Sequence, residues 1–121
     1  MLKPSEITPT SAYYLTKIME EAGLPAGVFN LLVAKGEDVG EALVSHPAVA
    51  GISFTGSVPT GRKIAQGAIQ HMKKIQMEMG GKNPMVIMDD ADLDIAIPVT
   101  VNGAFFQTGQ RCTASSRVIV H

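Results

Sequence analysis

Apolar residues recur at two different spacings along the chain, and the two spacings alternate. Recurrence every three to four residues, as in Leu15, Met19 and Ala22, is typical of an amphipathic helix. This spacing predicts four helices, which follow Thr8-Pro9, cover Asp38 to Ser45, follow Ser57, and run from Asp92 towards Phe106. Thr8 is expected to cap the first helix and Gly23 to end it.

Short apolar or alternating segments between these helices predict strands. They are Val28 to Val33, Val49 to Phe54, Lys74 to Met79, Pro84 to Met88 and Arg117 to His121. Strands that alternate with helices are typical of a mostly parallel sheet, so the pattern predicts an α/β fold. Pro98 lies about one turn into the last helix, where a proline removes a hydrogen bond at a cost of roughly 3 kcal/mol. We therefore expect this helix to kink at Pro98 or to begin later.

The composition narrows the classes of partner and compartment. With 45% hydrophobic residues and a net charge of −1, the 121-residue chain should bury a core of ordinary size, as one soluble domain or part of one. It offers no basic stripe for nucleic acid and no apolar run near the roughly 18 to 20 residues that span a bilayer. The start lacks a signal-peptide pattern and the single cysteine cannot form an internal disulfide, so a cytoplasmic protein is expected. Because almost no strand precedes Lys3-Pro4 and the chain closes soon after Arg117, we interpret it as a piece of a larger protein.

The segment Phe54 to Gly61, Phe-Thr-Gly-Ser-Val-Pro-Thr-Gly, connects a predicted strand to a predicted helix. Such a turn directs free backbone N–H groups and the positive helix end at an anion such as a pyrophosphate. The segment contains only Gly56 and Gly61, so it is not a complete dinucleotide fingerprint, and a plain strand-to-helix turn is the alternative. Gly80-Gly81-Lys82 does not form a P-loop, because Gln76 stands where the first glycine would be.

No metal site is predicted. The acidic run Asp89 to Asp94 lacks the glycine and the glutamate of a calcium loop, since Ile95 and Val101 stand at those positions. Helix capping explains the run better. The histidines share no ligand spacing with one another or with the cysteine; they are His46, His71 and His121.

Two residues are candidates for nucleophilic and base chemistry. Cys112 is the only cysteine and lies among small polar residues in Gln107-Thr-Gly-Gln-Arg-Cys-Thr-Ala-Ser-Ser116, just after an apolar stretch. A thiol in this setting is a candidate nucleophile, but few thiols are ionised at neutral pH, so it gains from a nearby base or positive charge. Glu78 ends a predicted strand close to a glycine pair and is a candidate general base, with a surface charge as the alternative. Arg111 could assist Cys112 or simply face water.

Together these motifs resemble the aldehyde dehydrogenase superfamily in order and in spacing. Lys3-Pro-Ser-Glu6 resembles its ribose-binding start, Phe54-Thr-Gly-Ser57 with Gly61 its pyrophosphate turn, Glu78-Met-Gly-Gly-Lys82 its glutamate motif, and Gly109-Gln-Arg-Cys112 its cysteine motif. The resemblance covers essentially the whole chain, and four motifs in register are more specific than any one of them. Within the family the chain is most similar to bacterial semialdehyde dehydrogenases, especially the 2-oxoglutarate semialdehyde (2,5-dioxopentanoate) branch.

The resemblance implies a role for each site residue. Cys112 would attack an aldehyde, hydride would pass to a nicotinamide, and Glu78 would activate the water that hydrolyses the resulting thioester. The cofactor would be held by Lys3, Glu6, Thr55, Gly56, Ser57, Gly61 and Met79. A carboxylate at Glu6 favours NAD over NADP, although Lys3 could offset its repulsion of a 2′-phosphate.

The resemblance also implies a domain organisation. Residues 1–79 would belong to a dinucleotide-binding domain, a Rossmann-like parallel sheet with helices on both faces, and residues 80–121 would begin the catalytic domain with its nucleophile loop. Because a second oxyanion donor and much of the fold lie outside the chain, the isolated chain is expected to be inactive and to self-associate or form a homo-oligomer. Two alternatives stay open: a non-enzymatic remnant that binds nucleotide weakly or pairs with another fragment, and a thiol hydrolase using Cys112 with Glu78.

Overall fold

The computed structural model describes residues 1–121 and contains four helices and four strands. The helices are α1 (Thr10–Glu21), α2 (Gly36–Ser45), α3 (Val58–Gln70) and α4 (Leu93–Phe105), and α4 is followed by a 3₁₀ turn at Phe106–Gly109. The strands are β1 (Gly51–Gly56), β2 (Lys74–Met79), β3 (Asn83–Ile87) and β4 (Ser115–Val120). β1 pairs with β2, and β3 pairs in parallel with β4. The predicted α/β class is therefore confirmed.

The chain divides into two compact units. The first comprises Met1–Ile52 and Gln66–Lys74, and the second comprises Ser53–Ala65 and Ile75–His121. The domain boundary expected between residues 79 and 80 stays a prediction. None of the four helices combines the length and the hydropathy that crossing a bilayer requires.

The strand predicted at Val28 to Val33 is wrong, because its pairing is limited to a single bridge between Leu2 and Leu31. The Leu2 N–H donates to the Asn30 carbonyl (2.7 Å), and the Leu32 N–H donates to the Leu2 carbonyl (2.9 Å). In a parallel ladder the next donor on the Leu2 side would be residue 4, which is Pro4 and has no N–H. The segment from Val28 to Val33 therefore finds no further N–H donor beyond Leu2, and the ladder ends after one bridge.

Helix α1 ends as predicted but begins differently. The N–H groups of Leu24 and Gly23 donate to the carbonyls of Met19 and Glu20 (both 3.0 Å), and Gly23 adopts a φ of 86°, which is the Schellman arrangement. The expectation that Thr8 caps α1 is wrong. The Thr8 N–H closes a turn onto the Ser5 carbonyl (3.3 Å), and the N-cap position falls on the following proline.

Helix α4 keeps Pro98 in its interior. The alternative of a later start is wrong, because the Asp94 N–H donates to Asp92 Oδ1 (3.0 Å) and this cap begins the helix at Leu93. Pro98 supplies no N–H to the Asp94 carbonyl one turn earlier, so that acceptor has no helical partner. Asp92 thus stabilises the start of the helix, and Pro98 weakens its second turn.

The bounds of β2 are the predicted ones, and those of α2, β1, β3 and β4 differ from the prediction by at most two residues. The apolar interior is much smaller than expected. Ala68 and Ala114 are the only buried hydrophobic side chains, so the expectation of an ordinary core is wrong. The reason is that each sheet has two strands and covers little of the neighbouring helix. Along α4 six large apolar side chains are 50% to 75% exposed: Leu93, Ile95, Ile97, Val99, Val101 and Phe105. A helix that is apolar on every side is normally covered by other elements.

Candidate active site

The cysteine lies in a tight turn between α4 and β4. The Ala114 N–H donates to the Arg111 carbonyl (3.0 Å), which makes Cys112 and Thr113 the two central residues of the turn. Cys112 is exposed and its thiol is free. Because Cys112 lies at the tip of a turn and is exposed, its thiol is accessible to an approaching group.

The side chain of Asn83, the first residue of β3, holds this turn. Its Nδ2 donates to the carbonyl of Cys112 (2.7 Å) and to that of Ala114 (3.1 Å). Asn83 was not among the site residues predicted from the sequence. Local patterns could not reveal the contact, because its partners lie 29 and 31 residues further along the chain.

The backbone that leads into the cysteine turn adopts an uncommon conformation. Gln107, Thr108 and Gly109 have φ values of 52°, 57° and 70°, so three consecutive residues are left-handed. For a β-branched residue such as Thr108 this conformation is costly, about 1 to 3 kcal/mol. Strain of this kind concentrates at functional sites, and here two residues, Gln110 and Arg111, separate it from Cys112.

Gly109 is the residue of this segment that tolerates substitution least. A Cβ there would lie 2.9 Å from the Ala104 carbonyl oxygen, and its positive φ penalises any side chain. We expect Gly109→Ala to lower the free energy of unfolding by about 2 kcal/mol, measured by urea denaturation of the chain. Gly40→Ala is the matched control, since Gly40 lies in α2 with no atom within 4 Å of an added Cβ. Its change should be neutral or stabilising, and equal urea midpoints for the two variants would contradict the strain described above.

The Arg111 side chain contacts an aromatic ring as well as solvent. Its guanidinium carbon lies 5.5 Å from the centroid of the Phe106 ring, within the range of a cation–π contact. The positive charge thereby stays beside the cysteine turn and links it to the 3₁₀ turn that precedes it.

Glu78 is the next-to-last residue of β2, and its side chain is exposed. It lies in the same compact unit as Cys112. Only residues 79 to 82 separate it from Asn83, which contacts the cysteine turn. A Cβ added at Gly80 would meet no atom within 4 Å, so the backbone beyond the carboxylate is open to an approaching group. The connection from β2 to β3 therefore joins the candidate base to the segment that contacts the turn of the candidate nucleophile.

The turn between β1 and α3 is built as the sequence predicted. Ser57 Oγ accepts from the Thr60 N–H (3.3 Å), and the two hydroxyl oxygens of Ser57 and Thr60 are 2.9 Å apart. One hydroxyl donates in that pair, so the other keeps its proton for an external acceptor. Thr55 and Gly56 end β1 immediately before this turn.

Gly61 brings the first turn of α3 against the end of β2. It is buried, and a Cβ there would lie 2.6 Å from Met79 Sδ and 3.3 Å from a ring carbon of Phe54. Glycine thus permits the approach of two segments that were both predicted to bind the cofactor. Gly56 has a similar relation to Phe54, whose ring would lie 2.6 Å from an added Cβ.

Lys3 and Glu6, the predicted ribose ligands, lie side by side in the first unit. Lys3 Nζ is 3.6 Å from Glu6 Oε2 and donates to the Pro4 carbonyl (2.8 Å). The pKa of the Glu6 carboxyl is lowered, mainly by a hydrogen bond from its own backbone and further by the charge of Lys3. Glu6 is therefore an ionised hydrogen-bond acceptor at neutral pH. No group of three His, Cys, Asp or Glu side chains is placed to hold a metal ion.

The chain matches the aldehyde dehydrogenase family over residues 1–121. A 2-aminomuconic semialdehyde dehydrogenase of Homo sapiens is 50% identical over 118 residues, 98% of this chain and 24% of that protein. The structure is similar to a crystal structure of betaine aldehyde dehydrogenase from Staphylococcus aureus in complex with NAD+, with a TM-score of 0.95 and 43% identity over 98% of this chain and 24% of that one. It is also similar to HpcC from Thermus thermophilus, with a TM-score of 0.95 and 45% identity over 99% of this chain and 23% of that one.

The chain spans about a quarter of the length of these relatives. The family match nevertheless runs from the first residue to the last. Relatives similar in sequence and relatives similar in structure are both aldehyde or semialdehyde dehydrogenases by name. The chain belongs to the aldehyde dehydrogenase family.

Proposed function

We propose that this chain carries the nucleophile and the general base of an aldehyde oxidation that yields a carboxylate and reduces NAD(P). The observation that carries the proposal is the connection of Glu78 through the start of β3 to the turn of Cys112. It joins an exposed carboxylate to an exposed free thiol within one compact unit of a family member.

In the first half of the reaction, the Cys112 thiolate adds to the aldehyde carbon and forms a thiohemiacetal. The oxygen that develops negative charge accepts from the backbone N–H of Cys112. Loss of hydride from the former aldehyde carbon converts the adduct into a thioester on Sγ. Arg111, whose guanidinium lies over the Phe106 ring, adds a positive charge to the segment that carries the attacking sulfur.

In the second half, Glu78 removes a proton from water, and the water attacks the thioester carbon. The carbon–sulfur bond breaks, which releases the carboxylate and restores the thiol. An exposed carboxylate beside an open glycine segment suits this role, because both water and the acyl group need room to approach it.

The residues present fit a nicotinamide dinucleotide. The paired Lys3 and Glu6 would hold the adenosine ribose hydroxyls, with the ionised Glu6 as acceptor. The turn of Thr55, Gly56 and Ser57 would hold the pyrophosphate, with one hydroxyl proton and the positive end of α3, while Gly61 and Met79 shape the adjoining surface. When bound, the nicotinamide accepts the hydride. We propose NAD, because Glu6 repels a 2′-phosphate.

The proposed substrate is a short aldehyde, with a semialdehyde of the 2-oxoglutarate type as the specific expectation. A semialdehyde also appears in the name of the human relative that is 50% identical. We further propose that residues 1–79 belong to the cofactor domain and residues 80–121 to the catalytic domain, and that the protein acts in the cytoplasm, where a free nucleophilic thiol stays reduced.

A chimera tests this function against the thiol hydrolase. In the chimera, residues 1–121 replace the matching segment of the Staphylococcus aureus betaine aldehyde dehydrogenase, whose structure the chain matches with a TM-score of 0.95. We expect NADH formation that requires betaine aldehyde. Ester hydrolysis without NAD, in the absence of any NADH formation, would instead support the hydrolase.

The isolated chain is expected to be inactive and self-associating. It buries two hydrophobic side chains and exposes the apolar residues of α4, and contiguous exposed apolar surface associates. We expect no aldehyde-dependent NADH formation and a sedimentation coefficient that rises with protein concentration. Turnover by the purified chain would contradict the expected inactivity, and a monomer at all protein concentrations would contradict the expected self-association.

A further inference from the structure

We propose that Asn83 is a positioning residue for the nucleophile: its carboxamide holds the carbonyl of Cys112, inside the turn, and that of Ala114, at its end, and so sets the direction of the Cys112 side chain. The catalytic meaning of this assignment rests on the proposed function of Cys112. The contact itself does not.

The two acceptors determine the chemistry that this position requires. The carbonyl oxygens of Cys112 and Ala114 lie 2.7 and 3.1 Å from one nitrogen of Asn83. An amide nitrogen has two N–H groups, one for each carbonyl, whereas the amide oxygen in its place would face two other oxygens. Only a neutral double donor satisfies the turn. An aspartate of the same shape would place a negative charge against two carbonyl dipoles.

The backbone cannot replace this contact, because the ladder between β3 and β4 is irregular at this point. Asn83 pairs with Ser115 and Pro84 pairs with Arg117, so the register shifts between the two pairs. Pro84 also has no N–H to donate. The strand pairing is regular only from Pro84 and Arg117 onward. Closer to the turn, the Asn83 side chain supplies hydrogen bonds in place of the backbone ladder. Asn83 is itself half-buried, which restricts its side chain further.

In a second contact the donor lies on β4 and the acceptor lies just before β3. Arg117 Nη2 donates to the Lys82 carbonyl (2.6 Å), so residues 82 and 83 are both tied to the β4 side. These residues follow Glu78 and the glycine pair. Asn83 therefore couples the position of the nucleophile to the strand connection that carries the base.

The test compares Asn83→Asp, Asn83→Ala and Asn30→Ala in the 121-residue chain. Asn30→Ala is the matched control, because Asn30 Nδ2 also donates to a backbone carbonyl, that of Gly27 (2.9 Å), in the other unit. Hydrogen exchange by mass spectrometry gives protection factors for a peptide over residues 107–116 and for one over β4. Near neutral pH we expect Asn83→Asp and Asn83→Ala to lower protection in the first peptide about tenfold and to leave β4 and the control unchanged.

Acidification separates positioning from a general loss of stability. As the aspartate of Asn83→Asp becomes protonated, its single O–H again donates to one of the two carbonyls, and protection over residues 107–116 should recover in part. Asn83→Ala has no such group and should not recover. Wild-type protection in both variants, recovery in both, or equal loss of protection in β4 would overturn the proposal. These readouts need neither aldehyde nor NAD, so a chimera without dehydrogenase activity would refute the proposed function and leave this assignment standing.

A kinetic readout in the chimera tests the catalytic consequence. Misplacing a reacting group by about 1 Å typically costs about a hundredfold in rate. We expect Asn83→Asp to lower kcat about a hundredfold at neutral pH with little change in KM for NAD, and to lower it less as the pH falls. A change confined to KM for NAD would overturn a role at the nucleophile.

Discussion

Replacing Cys112 with serine in the chimera is expected to lower aldehyde-dependent NADH formation by about a thousandfold or more. The serine hydroxyl is far less ionised than a thiol at neutral pH, and it would have to form an oxygen ester in place of a thioester. Steady-state assays with betaine aldehyde and NAD measure the change. The loss should appear in kcat, because the turn that holds the residue keeps its backbone contacts to Asn83.

Ser116→Ala is the control for this substitution. Ser116 is exposed and lies four residues after Cys112, in the same segment from Gln107 to Ser116, but it carries no thiol. Its activity should stay within about threefold of the parent chimera, as is usual for surface substitutions. If Cys112→Ser retains more than a tenth of the activity, another group is the nucleophile and the mechanism is wrong.

Replacing Glu78 with glutamine should separate the two halves of the reaction. Thiohemiacetal formation and hydride loss do not need Glu78, so one equivalent of NADH per site should still form rapidly. Hydrolysis of the thioester then lacks its base, and steady-state turnover should fall by about a hundredfold to ten-thousandfold. Stopped-flow absorbance of NADH measures the burst and the steady rate in one experiment.

Glu41→Gln provides the matched control for the loss of a carboxylate. Glu41 is exposed on α2, outside the proposed site, and its replacement should leave both phases unchanged. Loss of the burst together with the steady rate in Glu78→Gln would assign Glu78 to the first half of the reaction. A steady rate equal to that of the parent would remove it from the mechanism.

The sequence predicted best what short-range hydrogen bonds decide. Ser57 and Asp92 cap their helices because each side chain reaches an N–H two or three residues away. Gly23 ends α1 for an equally local reason, since a left-handed residue at that position lets the last carbonyls be satisfied. The strand at Lys74–Met79 was also predicted with its observed bounds.

What the sequence could not predict depends on partners far along the chain. Val28 to Val33 has the composition of a strand, yet its ladder stops because Pro4 lies opposite it. Asn83 was not predicted as a site residue, because its contacts form only when β3 pairs with β4. The exposed residues of α4 are a third case. The helix pattern was correct, but hydropathy alone does not say how much of that surface this chain can cover.

In the proposed mechanism Cys112 becomes acylated, and Glu78 is needed to release the acyl group. Intact-mass and peptide mass spectrometry of the Glu78→Gln chimera, quenched after one turnover with aldehyde and NAD, tests it directly. We expect an added mass equal to the aldehyde less two hydrogen atoms, located on the Cys112 peptide and absent when Cys112→Ser is combined with Glu78→Gln. An unmodified Cys112 peptide after a full NADH burst, or the same adduct on another residue, would contradict it.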